Sequence, residues 1–377
     1  MLPITMRFLP FYKKMVSLDR RYFRFFDWYS LALMVILATI GLLVVLSATY
    51  TPEEPYSLFF KKQLFGVISG LILYALFCTL DYRVLTRWGY FGYFAVIGLL
   101  LITMIKGSIG MGAQRWIALG FVKFQPSELA KIFFPAFFVY YLTSEKRQLK
   151  TVWDFLPIII LLLVSALLII KQPDLGTGII ILFMGTLLLY MAGLSRNFFI
   201  MAFCAVAVSG PVLWHFLKPY QRQRIFTFLG QGDSKKERYQ IEQSCIAVGS
   251  GGLWGKGYLQ GTQNRLRFLP EGRTDFIFSV LCEEFGFFGA LATIILYCLL
   301  FYRFLLLIFS IKQGVTQILC LGLVSPIIFS TIVNIAMVIG LLPIVGIPLP
   351  LLSYGITHSW ISFATLGWLN GIAARRF

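Results

Sequence analysis

The sequence predicts an all-α protein that crosses a membrane about ten times. Of its 377 residues, 58% are hydrophobic and only 13% are charged. A soluble domain of this length has too little interior to hide so much apolar surface. The apolar residues also occur in runs of about 20, the length that a transmembrane helix needs, rather than in the shorter alternating segments of a membrane β-barrel.

Ten such runs define the predicted architecture. The first follows a basic stretch but exceeds the usual signal-peptide core of about 7–15 residues, so it is interpreted as a retained helix. We predict a single membrane domain, residues 1–377, with one long polar loop, 218–274, between the seventh and eighth runs. The runs lie near 28–49, 63–80, 89–105, 126–143, 155–170, 174–192, 197–217, 275–302, 315–340 and 351–373.

Charge predicts the orientation. Ten crossings place both termini on one side, where most Lys and Arg of the tails and short loops also fall, so both termini are expected in the cytoplasm. The loop 218–274 carries ten Lys or Arg against four acidic residues and falls on the outer side. Long loops cross largely regardless of charge. A basic outer loop suits an anionic partner at the membrane surface, although a merely solvated loop explains the charge equally well.

Several classes of function are disfavoured. The six cysteines form no CxxC motif or Cys/His ligand pattern, and there are only two histidines. A structural zinc site and a Ser-His-Asp hydrolase are therefore not expected. No Walker spacing accompanies the glycines of the long loop, and no nucleic-acid partner is predicted.

Ionisable residues at membrane depth are costly and therefore informative. The segment QPSELAK (125–131) opens the fourth run, with Pro126 suited to the first helical position. Glu128 then lies in the first turn, three residues before Lys131, so the two side chains can pair. The pair is either structural, or it holds Lys131 towards a substrate phosphate.

Two further candidates lie on the same predicted side. Asp174, in QPDLGT (172–177), either caps its helix or contributes to a site. Arg115, beside Trp116, is either an interfacial anchor or a bidentate ligand for an anionic headgroup.

The long loop adds Arg222 and Arg224 as candidate ligands for phosphate, and it ends in the densest polar cluster of the chain. There Glu271, Arg273 and Asp275 precede the eighth run, a position that suits a tuned general base. Glu283 follows Asp275 by eight residues, about 12 Å along a helix. That exceeds the roughly 5–9.5 Å between paired glycosidase carboxylates, so a single base fits at least as well.

Together these segments resemble the SEDS family, the shape, elongation, division and sporulation proteins that polymerise peptidoglycan from lipid II. The resemblance covers nearly the whole chain. Each segment is weakly specific alone, and the combination is highly specific. The segments are QRW (114–116), QPSELAK (125–131), QPDLGT (172–177), YQIEQSCIAVGSGG (239–252), PEGRTDFIF (270–278) and GIPLPLLSYG (346–355).

The resemblance implies that Asp275 is the catalytic carboxylate. It also implies transfer of a glycan from its undecaprenyl-pyrophosphate carrier to the 4-hydroxyl of lipid II, with inversion. One inverting displacement needs one base, and basic side chains can stabilise the pyrophosphate leaving group in place of a proton donor. The resemblance implies no cofactor, and it leaves open whether a divalent cation takes part. The candidate substrate-binding residues are Arg115, Glu128, Lys131, Asp174, Arg222, Arg224, Gln263, Glu271 and Arg273.

The segment 256–271, which includes Gln263, is more similar to rod-elongation members than to division members. A role in cell elongation, a class B penicillin-binding protein as partner and the bacterial cytoplasmic membrane as location are implied. A division or sporulation counterpart, a lipid II flippase and a scaffold without activity are the alternatives. Residues 355–359 depart from the family's usual Gly-Gly-Ser, which leaves the packing of the last helix open.

Overall fold

A computed structural model describes residues 25–110, 113–120, 122–144, 151–216, 222, 226, 235–266 and 268–375. Its long helices fall where the apolar runs predict them, and the all-α membrane class is confirmed. The helices are α1 (Trp28–Thr49), α2 (Leu58–Thr79), α3 (Tyr82–Lys106), α4 (Pro126–Ser144), α5 (Val152–Lys171), α6 (Leu175–Met191), α7 (Arg196–Phe216), α8 (Lys235–Ser250), α9 (Thr262–Arg265), α10 (Ile277–Phe309), α11 (Gly314–Val338) and α12 (Ile356–Ala374).

Six helices are long and apolar enough to span a bilayer: α1, α2, most of α3, α5, α10 and α11. Helix α6 is apolar but shorter. Helices α4 and α12 carry polar side chains among their buried residues, including Lys131 and His358. Ten crossings therefore stay a prediction.

Two features of the connections differ from the predicted all-helical pattern. A small antiparallel sheet, β1 (Ser108–Gly110), β2 (Ala113–Leu119) and β3 (Val122–Phe124), joins α3 to α4. Its strands are too short for hydrophobic periodicity to separate them from a loop. The predicted loop 218–274 contains the 16-residue helix α8, whose polar composition hid it from a search for apolar runs.

Close helix packing depends on small residues. Helix α12 packs against α2 with Gly367 and Gly371 facing the main chain of Tyr74 and Cys78. A Cβ atom at either glycine would collide with that main chain. Small residues at helix crossings in membranes allow the backbones to approach closely.

Helix α10 is interrupted at Gly286, where the backbone has φ 65° and ψ −163°. The carbonyl groups of Glu283 and Glu284 accept hydrogen bonds from the amides of Lys256 and Gly257, both at 3.0 Å. Residues 251–261 thus form a strap that is hydrogen-bonded to the interrupted helix. The strap fixes the end of the long loop close to the start of α10.

Candidate active site

Asp275 lies two residues before the first residue of α10, in a turn held by main-chain contacts. The helix begins at Ile277, and Phe276 rather than Asp275 is its N-cap. Asn334 of α11 donates to the Asp275 carbonyl at 2.8 Å, and it also donates to the carbonyl of Ile347 at 2.7 Å. Because α11 holds the turn and the following connection together, packed elements set the position of the Asp275 main chain.

The connection between α11 and α12, residues 339–355, is the centre of the site. Ser353 donates to the carbonyl of Thr274, and the amide of Tyr354 donates to the carbonyl of Arg273 at 2.9 Å. Gly346 adopts φ +72°, and a Cβ atom there would lie 3.6 Å from Oδ2 of Asp275. The family-like segment 346–355 therefore packs directly against the Asp275 turn.

Arg273 and Glu271 are oriented by neighbours within that turn. The Arg273 guanidinium lies over the Phe59 ring, 4.0 Å from its centroid, an arrangement that stabilises a cation without neutralising it. Glu271 adopts φ +55° and accepts a hydrogen bond from the Thr274 hydroxyl at 3.0 Å. Positive φ is uncommon for a residue with a side chain, which indicates that surrounding contacts fix this turn.

These two residues line a cavity of about 640 Å³. The cavity lies between the turn and the connection from α1 to α2, and Arg265 adds a second guanidinium to its wall. Asp275 is not among the lining residues and follows the last of them, Arg273, by two positions. The remaining lining residues include Tyr50, Glu54, Ser57 and Phe59.

Glu128 and Lys131 pair as their spacing predicts, with 2.5 Å between Oε1 and Nζ. The structure adds a third member. Nδ1 of His358, in the first turn of α12, lies 3.0 Å from the other carboxylate oxygen of Glu128. All three side chains are buried, and they line a small pocket with Pro350 of the central connection.

Asp174 is the N-cap of α6 and accepts a hydrogen bond from the main-chain amide of Thr177 at 3.3 Å, as the capping interpretation predicts. Oδ1 of Asp174 also lies 3.2 Å from Nη1 of Arg115, and Gln125 donates to Oδ2 at 2.7 Å. The carboxylate is buried, whereas the Arg115 side chain is 19% exposed. Arg115 is thus oriented by Asp174 and partly exposed.

The Asp174 cluster reaches Asp275 through the central connection. Gly176, two residues after Asp174, packs against Ile347 and the carbonyls of Val345 and Gly346. Gly346 in turn packs against the Asp275 carboxylate. Three clusters that the sequence separates, around Asp275, Glu128 and Asp174, therefore surround residues 345–358.

Two other candidates have different surroundings, and a third lies outside the described residues. The main-chain N–H of Gln263, just after the strap, donates to Oε1 of Glu283. Arg222 donates to the carbonyl of His215, and its guanidinium lies 5.9 Å from the Trp214 ring centroid, so it caps the end of α7. Arg224 lies outside the described residues.

Sequence reasoning missed several residues that organise the site: Gln63, His358, Asn334 and Ser353. Gln63 donates to the carbonyl of Ser353 and accepts from the amide of Gly355, both in the central connection. Each of these side chains is polar and buried within an apolar run, which is the signal that could have identified them. Among the described residues, no group of three or more His, Cys, Asp or Glu side chains is arranged to hold a metal ion.

Comparison with known families assigns the chain to one family. The family model for FtsW, RodA and SpoVE, described as cell cycle proteins, matches residues 27–376. The chain belongs to this family. The family that the sequence predicts is thus confirmed, since the SEDS proteins are the FtsW, RodA and SpoVE proteins.

Individual members of the FtsW/RodA/SpoVE family extend the comparison. The peptidoglycan glycosyltransferase MrdB of Escherichia coli K12 is 39% identical over 320 residues, which cover 84% of this chain and 86% of MrdB. A chain from a solved peptidoglycan synthase complex superposes on this protein with TM-score 0.79 at 27% identity. That structure is described as showing the structural coordination of polymerization and crosslinking. The rod shape determining protein RodA of Thermus thermophilus gives TM-score 0.69 at 26% identity. Both superpositions cover 93% of this chain and 98% of the solved chain.

Proposed function

We propose that this protein is a peptidoglycan glycosyltransferase that polymerises lipid II into glycan strands during cell elongation, with Asp275 as the general base. Membership of the FtsW/RodA/SpoVE family and the named activity of E. coli MrdB support the reaction class. The observation that carries the catalytic assignment is the packing of Asp275. Two separate elements, α11 and the central connection, hold its turn beside a cavity of about 640 Å³.

The proposed step is one inverting displacement. The acceptor 4-hydroxyl oxygen attacks the anomeric carbon of the donor glycan, and the bond from that carbon to the pyrophosphate oxygen breaks. Asp275 takes the hydroxyl proton, and the lipid pyrophosphate leaves as an anion. A leaving group that is already a stable anion needs cations and no acid, so one carboxylate with several basic groups matches the chemistry.

Arg115, Lys131 and Arg273 are the proposed cations for this leaving group. Each is held by a neighbour that fixes its geometry: Arg115 by Asp174, Lys131 by Glu128, and Arg273 by the Phe59 ring. Preorganised charge in a partly buried site stabilises a developing anion without reorganisation during the reaction. Glu128, Asp174 and Glu271 are therefore proposed to position cations and the turn, not to transfer protons.

The chain is a bacterial membrane protein. We further propose that it lies in the cytoplasmic membrane with both termini in the cytoplasm and α8 outside. A class B penicillin-binding protein is the proposed partner, consistent with the peptidoglycan synthase complex that contains a structural relative. In a variant whose six native cysteines are replaced by serine, a cysteine at the exposed position 242 of α8 should react with an impermeant maleimide in intact spheroplasts. Reaction only after lysis would place the site on the wrong side for lipid II.

The decisive experiment gives purified protein lipid II in detergent or vesicles. Formation of polymer supports the proposal, and translocation without polymer indicates a flippase. A protein that does neither is a scaffold. Asp275→Asn should lower polymerisation about 10²–10⁴-fold, the usual cost of losing a general base, while the protein stays folded and binds lipid II. Glu242→Gln removes an exposed, ion-paired carboxylate of α8 and serves as the matched control. Near-normal polymerisation by Asp275→Asn would exclude Asp275 and make Glu271 the next carboxylate to test.

A further inference from the structure

A second cavity, of about 400 Å³, lies at the end of the helix bundle opposite Asp275. Its walls come from the start of α3, the end of α4 and the start of α11. Helix α4 begins beside Glu128 and runs 19 residues to Ser144, about 28 Å at 1.5 Å per residue. That length is close to the roughly 30 Å thickness of the hydrocarbon core, so this cavity opens at the other membrane interface.

The wall of this cavity is cationic and polar. Arg83 and Arg87 lie one turn apart on α3, where residues at this spacing share a face. No Asp or Glu is among the lining residues, which otherwise include Tyr82, Thr86, Tyr140, Thr143, Ser144, Gln313 and Thr316. The described wall therefore offers two guanidinium groups and several neutral hydroxyl and amide groups to an anion.

The surface beside the cavity suits a lipid. Trp88, Tyr90 and Phe91 of α3 are all exposed, and aromatic residues of this kind concentrate at membrane interfaces. Phe94, one turn further into the membrane, is also exposed. An amphiphile with its headgroup between the arginines would place its acyl chains along this aromatic and apolar face.

We propose that this cavity binds the phosphate group of an anionic phospholipid from the surrounding leaflet. Arginine forms bidentate hydrogen bonds with phosphate oxygens, and basic pockets between membrane helices are known to take anionic headgroups. A free phosphate would satisfy the guanidinium groups equally well, but it would not use the exposed aromatic face. The inference does not depend on Asp275 or on the proposed glycosyltransferase reaction.

Arginines at this end of the helices also satisfy the positive-inside rule without binding anything, so the experiment must separate binding from topology. The full chain is reconstituted in nanodiscs of phosphatidylcholine with increasing phosphatidylglycerol, and bound lipid is counted by native mass spectrometry. Wild type should retain phosphatidylglycerol selectively. Arg83→Gln/Arg87→Gln should retain it at least tenfold less well, and Arg83→Lys/Arg87→Lys should show an intermediate loss.

Arg196→Gln, at the exposed start of α7 and away from the cavity, is the matched control and should match wild type. Unchanged lipid retention in the double Gln variant would overturn the proposal. Displacement of the lipid by millimolar inorganic phosphate or glycerol phosphate would assign the cavity to soluble phosphates and would also overturn it. If the double variant does not insert into the membrane, phosphatidylglycerol retention by Arg87→Gln alone is compared with that of wild type. Each variant must unfold at the wild-type temperature in pure phosphatidylcholine.

Discussion

The carboxylate of Glu128 is shared between a lysine of its own helix and a histidine 230 positions later in the chain. Oε1 lies 2.5 Å from Nζ of Lys131, and Oε2 lies 3.0 Å from Nδ1 of His358. His358 belongs to the segment 355–359, which departs from the pattern usual in the family. In this protein the departure joins α12 to the start of α4, so the positioning of Lys131 depends on the last helix.

Replacing His358 should therefore disturb Glu128. The change His358→Ala leaves Oε2 of a buried carboxylate without its hydrogen bond, and a bond to a charged group contributes about 1.5–3 kcal/mol. His358→Gln retains a donor and should restore most of that stability. Thermal unfolding in detergent measures the difference. Equal loss in both variants would show that shape, not the hydrogen bond, matters at this position.

Lys131 should contribute to polymerisation separately from its contribution to stability. Lys131→Met leaves a buried carboxylate short of one cation, and breaking a buried pair costs about 3–5 kcal/mol. The double change Glu128→Gln/Lys131→Met removes both charges and should recover much of that loss. If Lys131 acts on the pyrophosphate, the double variant stays inactive although it is stable. A stable double variant with wild-type polymerisation would assign the pair a structural role only.

Arg115 should affect substrate binding as well as turnover, because the pyrophosphate that it is proposed to contact is anionic in the bound substrate and gains charge as it leaves. The Arg115 side chain is partly exposed and is oriented by Asp174, so Arg115→Met removes one contact to an anionic group while Asp174 keeps its cap on α6. We expect KM for lipid II to rise about tenfold in Arg115→Met. Arg115→Lys should recover only part of the lost affinity, because lysine lacks the bidentate geometry. Steady-state kinetics test this. An unchanged KM with lowered kcat would instead place Arg115 in the transition state alone.

Local signals in the sequence predicted much of the fold and part of the site. Apolar runs located the long helices because bilayer thickness fixes their length. The three-residue spacing predicted the Glu128–Lys131 pair, since residues three apart are neighbours on a helix. The position of Asp174 at the start of an apolar run predicted that it caps a helix.

Contacts between distant segments had no local signal. Arg115 and Asp174 were both candidates, but their ion pair joins residues 59 apart. His358 was noted only as a departure from a pattern, and its partner lies in another helix. The short strands 108–124 and the polar helix α8 were missed because neither has the apolar periodicity on which the prediction depended.

The strap at residues 251–261 holds the end of the long loop through an ion pair as well as through main-chain hydrogen bonds. Nζ of Lys256 lies 2.6 Å from Oε1 of Glu283, whose side chain is fully buried. Thr262 and the amide of Gln263 donate to the same oxygen. Tyr258 belongs to the same strap. Burial, and after it the charge of Glu284, raises the pKa of the Tyr258 hydroxyl. The protonated hydroxyl donates to the carbonyl of Leu43.

Lys256→Met should therefore loosen the loop that precedes Asp275. It removes the cation from a buried carboxylate, a change that costs about 3–5 kcal/mol, and it frees a segment that leads into the Asp275 turn. We expect faster proteolysis between α8 and α10 together with lowered polymerisation. Arg238→Met, which breaks an exposed ion pair with Glu242 in α8, is the matched control and should cost under about 1 kcal/mol. Because the cost at Lys256 arises from the unpaired Glu283 charge, adding Glu283→Gln should restore protease resistance. Continued sensitivity in that double variant would mean that the loop is held by the main-chain hydrogen bonds of the strap and not by this ion pair.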